Sequence, residues 1–172
     1  MTLHVLRPQD ISTQHLAGTL VSEGLMIEVG DIGYVGVDLC RTPAGRARLL
    51  ALRLPGAIFI RDSALWIHTG WHTSSFATGQ HVAHTASTLR ADEIITVGGQ
   101  QVTCLERTAI DLLIHDEESG LGYLCLLIRA GARLSDVTQH AEQIHIHGIR
   151  RVRRLLNQLP PDLGLLGDSS NP

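Results

Sequence analysis

The sequence predicts an α+β fold, with short central strands and a helical C-terminal half. Two hairpin signals, at 26–37 and 94–102, indicate the strands, because each places glycine-containing turn residues between two β-prone runs. Apolar residues recur at helical spacing over 41–54 and 148–159 and indicate helices. Of the 172 residues, 44% are hydrophobic, so the chain is long enough and apolar enough to bury a core.

Residues 1–38 predict a truncated, winged-helix-like segment. A helix is expected over 12–23, where Ser12 or Thr13 can cap it and Gly24 can end it. The β-prone runs Met26–Val29 and 34–37 follow as a hairpin. One helix followed by a small hairpin is the second half of a winged helix, so we expect this part to be a remnant of that fold.

Residues 39–160 predict a second, mixed unit, and 161–172 predict a flexible tail. The first half of the unit 39–160 combines short strands with helices. We expect a helix at 41–54, an apolar run at 57–60, a helix capped by Asp62 or Ser63 and ended by Gly70, a strand at 81–87, and a hairpin at 94–102. Thr103 and Glu106 have capping-box spacing, which predicts a helix that continues to His115. The acidic run 116–118 is expected to be a solvated loop, followed by helices at 121–129, 136–144 and 148–159.

Composition excludes several kinds of chemistry. All 14 lysine-or-arginine positions are arginine. This composition excludes mechanisms that need a lysine, such as Schiff-base formation or phosphate binding by the lysine of a P-loop. The net charge of −3 is unlike that of a protein dedicated to coating DNA. Three widely spaced cysteines and the absence of a long apolar run predict a cytoplasmic protein without disulfides or a membrane segment.

Histidine pairs are the candidate metal ligands. The sequence contains three close pairs: His68/His72, His81/His84 and His145/His147. None has a nearby cysteine, whereas a structural zinc site needs four ligands at tight spacing. We expect no cofactor and no metal site; His68, His72, His145 and His147 are weak candidate ligands. A metal-assisted hydrolase or nuclease that combines these histidines with Asp62 or Asp111 stays an alternative.

A cluster of four arginines is the candidate contact region for nucleic acid or for an acidic protein. Arg150, Arg151, Arg153 and Arg154 lie on one predicted helix beside its apolar stripe. Such a helix is either an ordinary solvated surface or a phosphate-binding one. The candidate recognition helix at 12–23 contains no arginine, although arginine makes the commonest specific contact to guanine.

Three segments together resemble the AbiEi-type antitoxins and transcriptional regulators of type IV toxin–antitoxin systems, above all their actinobacterial relatives. GRARLLALRLPGAIFIRDSALWIHTG (45–70) is similar to a block that ends in a "TAAWLHG" helix, here with Trp66, His68 and Gly70. LRADEIITVGGQQVTCLERTAIDLL (89–113) resembles a "VT…RTALDL" block through Thr103, Arg107, Thr108 and Asp111. LLIRAG (126–131) resembles the family's "LLRAG".

The resemblance implies a winged helix that binds the protein's own promoter and a second domain that neutralises a nucleotidyltransferase-like toxin. The sequence therefore predicts a non-enzymatic, antitoxin-like or regulatory protein that acts through protein–protein contact, with DNA as a second partner. Arg107 and Asp111 are four residues apart on one helix, so we expect them to pair and to serve the architecture. An orphan oligomerisation module is a further alternative, and a homo-oligomer is compatible with the sequence.

Overall fold

The computed structural model describes residues 5–7, 9–29, 32–71, 82–83, 89–160 and 163, and it has the predicted α+β architecture. Two small sheets are combined with helices that fill the C-terminal half. In chain order the elements are β1 (Val5–Leu6), α1 (Ile11–Ser22), β2 (Met26–Val29), β3 (Gly33–Gly36), α2 (Pro43–Ala51), β4 (Ile58–Phe59), α3 (Arg61–Thr69), β5 (Val82–Ala83), β6 (Ile94–Val97), β7 (Gln100–Thr103), α4 (Leu105–His115), α5 (Glu117–Arg129), α6 (Leu134–Gln143) and α7 (Ile149–Leu156).

The N-terminal sheet is antiparallel, with strand order β1-β3-β2. Val35 of the central strand β3 lies opposite Val5 of β1 on one side and Ile27 of β2 on the other. Helix α1 precedes the β2–β3 hairpin, which confirms the predicted helix and hairpin. The predicted cap was wrong: Asp10 is the N-cap, and its side chain accepts from the backbone N–H of Thr13. An aspartate one turn earlier captures that donor because its carboxylate is a strong acceptor for the free N–H groups of the first turn.

The second sheet has the order β5-β4-β7-β6, in which β4 and β7 are parallel and the other pairs antiparallel. The β6–β7 hairpin turns at Gly98 and Gly99, whose φ angles of 59° and 85° are those of a two-residue turn that glycine favours. The hairpin prediction is therefore confirmed. Of the strand predicted at 81–87, Val82–Ala83 is observed and the remainder lies outside the described residues.

The predicted helix starts were also wrong at α3, α4 and α5. Cys104 stands at the N-cap of α4 and makes no side-chain cap bond. The N-cap of α3 is Ile60, which makes no side-chain cap bond, and not Asp62 or Ser63 as predicted. Helix α5 begins at Glu117, with the Asp116 side chain accepting from Glu118 N–H and Ser119 N–H, so the acidic run is a helix start and not a loop. Acidic residues stabilise a first turn, because they face the positive end of the helix dipole.

The buried apolar residues form two clusters that meet at α3. The first contains residues from both sides of position 38, among them Val35, Leu49, Phe59 and Trp66. The second joins Leu65 to the apolar faces of α4–α7. Successive residues of α3 therefore serve different cores, and the helix is fixed on both sides. The division at 38/39 stays a prediction. None of the helices built by the described residues has the length and apolar character needed to cross a bilayer.

Candidate functional site

The candidate site is a polar network that joins two of the three segments on which the family resemblance depends, 45–70 and 89–113. Its first part is the end of α3. Gly70 adopts φ 78° there and ends the helix, as predicted. The guanidinium of Arg46, which is only 5% exposed, donates from Nε and Nη2 to the carbonyl oxygen of Ile67, at 3.0 and 2.8 Å. Its Nη1 donates to the carbonyl oxygen of Cys40 at 2.6 Å.

Arg46 therefore ties the last turn of α3 to the segment before α2. Its Nη2 also reaches the carbonyl oxygen of His68 at 3.3 Å. The planar fork of arginine can serve several carbonyl acceptors at once, which a lysine ammonium does with less fixed geometry. Burial lowers the pKa of Arg46 from its usual value, and the carbonyl contacts compensate the buried group with dipoles.

His68 joins α3 to the start of α4. Its Nε2 lies 2.8 Å from the carbonyl oxygen of Thr103 and donates to it. Burial lowers the pKa of His68, although the bond to Thr103 and the nearby Glu106 act in the opposite direction. His68 is therefore a structural hydrogen-bond donor between two of the resembling segments. Trp66 on the same helix is 1% exposed and belongs to the first core.

Two buried threonines complete this connection. The hydroxyl oxygens of Thr103 and Thr108 are 2.8 Å apart, and the Thr108 hydroxyl also donates to the carbonyl oxygen of Thr103 at 3.2 Å. The Thr103 hydroxyl lies 3.5 Å from the carbonyl oxygen of Phe59, in the neighbouring strand. The Thr103 side chain thus bonds to the neighbouring strand β4 and to α4, which explains why it does not form the predicted capping box.

The second part of the network surrounds Arg107. Its Nε donates to Oδ1 of Asp111 at 2.9 Å, which confirms the predicted i,i+4 pair. Its Nη1 lies 2.8 Å from Oε2 of Glu93, a carboxylate that is 1% exposed. Arg107 therefore bridges two acidic groups with a single guanidinium. Burial raises the pKa of Asp111 despite the adjacent guanidinium.

Glu93 is the central acceptor of this network. Its carboxylate accepts from Arg90 N–H at 2.6 Å and lies 3.2 Å from Nε2 of His140 on α6. Its backbone carbonyl accepts from Cys104 N–H at 2.8 Å. Burial acts to raise the pKa of Glu93, but the Arg90 N–H, Arg107 and His140 together hold it below the usual value of 4.5. Glu93 thereby links the β6–β7 hairpin to α4 and α6.

The sequence reasoning missed Glu93, His140 and Arg46. Glu93 follows Asp92 directly, and nothing in the sequence distinguishes the buried carboxylate from its exposed neighbour. Arg46 lies off the apolar stripe of its helix, where arginine is normally solvated. Only the approach of α3 and α6 decides that these side chains are buried and paired.

The histidine pairs are not brought into a ligand cluster by the described part of the chain. His68 is committed to Thr103, while His145 and His147 are exposed between α6 and α7. His72, like His81 and His84, lies outside the described residues. Within the ranges that the structure describes, no three histidine, cysteine or acidic side chains stand together in a way that could hold a metal ion.

The four arginines of α7 fall into two groups. Arg150, Arg151 and Arg154 are exposed, and Arg151 pairs with Glu117. Arg153 is turned towards the end of α6, where it donates to the carbonyl oxygens of Ala141 and Ile144, each at 2.9 Å. The Arg153 guanidinium therefore holds α6 and α7 together, whereas Arg150 and Arg154 offer their charge to solvent.

Comparison with known proteins gives no relative for this chain: it matches no protein-family model, no curated protein and no solved structure.

Proposed function

We propose that the protein is a non-enzymatic regulator of the AbiEi-type antitoxin kind, that it acts in the cytoplasm, and that its partner is a nucleotidyltransferase-like toxin protein. The observation that carries the proposal is the mutual engagement of the resembling segments. His68 bonds to Thr103, and Arg107 bonds to Glu93 and Asp111. The polar residues that would otherwise suggest catalysis hold the fold together, which favours a protein that works through its surface.

Co-expression provides the test. A tagged form of the chain is produced together with the product of the gene adjacent to its own, in cells whose growth the neighbouring product arrests. We expect the two proteins to co-elute and growth to resume when the chain is present. If the neighbouring product neither arrests growth nor co-elutes, the antitoxin proposal is rejected. Arg107→Leu removes the cation of the buried network and is expected to destabilise the fold. It is the negative control, because a chain that does not fold should neither co-elute nor restore growth.

DNA binding through α7 is the second candidate function. It is favoured by the exposure of Arg150 and Arg154, which are four residues apart and therefore lie on one helix face. Fluorescence anisotropy with the DNA upstream of the gene tests it at several salt concentrations. We expect Arg150→Ala combined with Arg154→Ala to weaken binding and to reduce the salt slope by about 2. Arg129→Ala, on the exposed end of α5, is the matched control, and equal binding by all three proteins contradicts this role.

A further inference from the structure

Helix α1 carries a surface whose composition is unusual for a solvated helix. Its twelve residues include no charged side chain, and Ala17 is its only fully buried residue. Ile11 and Leu16 are 75% and 52% exposed. Helices that face water normally present a charged or strongly polar side opposite their apolar stripe. Ile11, but not Leu16, lines the groove along this helix, and an uncharged helix face with an exposed apolar side chain is one that a partner protein can cover.

A groove runs along the outer face of this helix. It is lined by Ile11, Gln14, His15, Gly18, Thr19 and Ser22, and we call these residues the α1 surface. A Cβ atom added at Gly18 would meet no atom within 4 Å. Gly18 and Ser22 are one helical turn apart and both small, so a row of side chains from a second helix can pack between them.

The charges around the α1 surface are acidic. Asp10 caps the start of the helix, and exposed Glu23 follows its end. Exposed Glu28 lies opposite Tyr34 in the sheet. Tyr34 lines a second groove together with Asp10 and Ile11. Glu23 also adds to the negative end of the helix dipole, where no basic residue offsets it. This charge distribution disfavours nucleic acid on α1 and favours a cationic partner.

The described residues between 5 and 40 supply little positive charge to oppose this acidity. Arg7 is the one arginine among the described residues between 5 and 40, and its Nε donates to the carbonyl oxygen of Ile32. A second copy of the chain is a poor occupant. Two antiparallel α1 helices would bring Asp10 of one copy towards Glu23 of the other, and two parallel helices would pair like ends. Like charges placed together across an interface are unfavourable.

We propose that the α1 surface binds a partner protein through an amphipathic helix whose apolar stripe is flanked by lysine or arginine. The apolar stripe packs over Gly18 against Ile11, and the flanking cations lie near Asp10 and Glu23. This inference rests on the proposed function in one respect, since it assigns the surface through which protein–protein contact occurs. It leaves the arginines of α7 for a separate role.

Binding of synthetic peptides to the full chain tests the proposal. The probe is a labelled amphipathic peptide of leucine and lysine, and fluorescence anisotropy is measured at physiological ionic strength. Two comparison peptides have the same composition in scrambled order, or glutamate in place of lysine. We expect only the amphipathic lysine peptide to bind. Equal binding of the scrambled peptide, or tighter binding of the glutamate peptide, overturns the proposal.

A pair of glycine variants assigns the binding to α1. Gly18→Arg adds bulk and positive charge to the groove, and Gly122→Arg makes the same change on exposed α5, where an added Cβ also meets open space. Both substitutions replace a helical glycine by a better helix former, so neither is expected to unfold the chain. We expect Gly18→Arg to weaken peptide binding by about tenfold or more and Gly122→Arg to leave it unchanged. Equal effects of the two variants overturn the assignment.

Co-expression with the neighbouring gene product separates this inference from the proposed function. If the unaltered chain and Gly18→Arg co-elute equally with that product and no peptide binds, the α1 proposal is wrong while the proposed function stands. If the unaltered chain fails to co-elute although the lysine peptide binds to α1, the proposed function falls and the docking surface stands. Light scattering adds a further outcome: a dimer that Gly18→Arg converts to a monomer identifies a second copy as the occupant and overturns the cationic partner.

Discussion

Arg107 Nη1 lies 2.8 Å from Glu93 Oε2, and this contact joins a helix to the turn before β6 in a nearly dry environment. Because Nε of the same guanidinium serves Asp111, removing Arg107 leaves two carboxylates without their cation. We expect Arg107→Leu to lower the free energy of unfolding by about 3–5 kcal/mol, measured by urea titration with circular dichroism.

The exposed pair between Arg151 and Glu117 provides the control for that measurement. Their side chains are 58% and 40% exposed, so water competes for both charges. Arg151→Leu is expected to change the free energy of unfolding by less than about 1 kcal/mol. Similar losses for Arg107→Leu and Arg151→Leu contradict the importance assigned to the buried network.

Glu93 predicts a specific dependence of stability on pH. Its pKa in the folded chain lies below its ordinary value of 4.5, so folding favours the ionised form. The stabilisation is fully present above pH 4.5 and is lost as the pH falls through the lower, folded-state value. We expect the stability difference between the unaltered chain and Glu93→Gln to be largest near neutral pH and to shrink below about pH 4.5. Urea titrations across this pH range measure the stability difference, and Glu142→Gln, at an exposed position, is the control. A stability difference that grows as the pH falls contradicts the prediction.

Arg46 predicts that lysine cannot replace arginine at a buried position. Arg46→Lys keeps the charge but loses the fork that serves the carbonyl oxygens of Cys40, Ile67 and His68. We expect it to reduce the free energy of unfolding by about 2–3 kcal/mol, because buried acceptors lose their donors. Arg48→Lys on the exposed side of α2 is the matched control. Equal stability of the two variants is the result that contradicts the prediction.

The two turn glycines differ in the space around them. An added Cβ at Gly98 would lie 2.6 Å from the backbone carbonyl oxygen of Ala44, whereas at Gly99 it would meet nothing within 4 Å. Both positions have positive φ, which costs alanine about 1–2 kcal/mol. Gly98→Ala carries the clash in addition, so we expect it to destabilise the chain by about 1–3 kcal/mol more than Gly99→Ala. Thermal unfolding of both variants measures the difference, and equal melting temperatures contradict it.

Thiol reactivity distinguishes the three cysteines. Cys125 is exposed, while burial raises the pKa of Cys40 and of Cys104 to about 11. Because the thiolate is the reactive form, one thiol per chain is expected to react rapidly with an aromatic disulfide reagent in the folded state, and three after unfolding in urea. Cys125→Ser removes the rapid phase. Rapid reaction of two or three thiols in the folded chain contradicts the burial of the others.

Local patterns in the sequence were sufficient for the α+β class, for most helices and for both hairpins. Periodicity located α2 and α7, and Gly98 with Gly99 located the second hairpin. The i,i+4 pair of Arg107 and Asp111 was also predictable, because both members lie on one helix and the geometry of a helix fixes their distance. Helix starts were less predictable: Asp10 and Asp116 are the N-caps of α1 and α5, whereas the sequence had indicated later starts for both helices.

Only the tertiary structure decided which polar residues are buried together. Glu93 and His140 are 47 residues apart, and Arg46 and Ile67 are 21 apart, so no local spacing reports either contact. The parallel pairing of β4 with β7 brings Phe59 beside Val102 and allows the Thr103 hydroxyl to face the Phe59 carbonyl. The sequence by itself determined the elements, because their hydrogen bonds and capping depend on near neighbours. The packing of those elements decided the charge network, because desolvation and pairing arise only when distant segments meet.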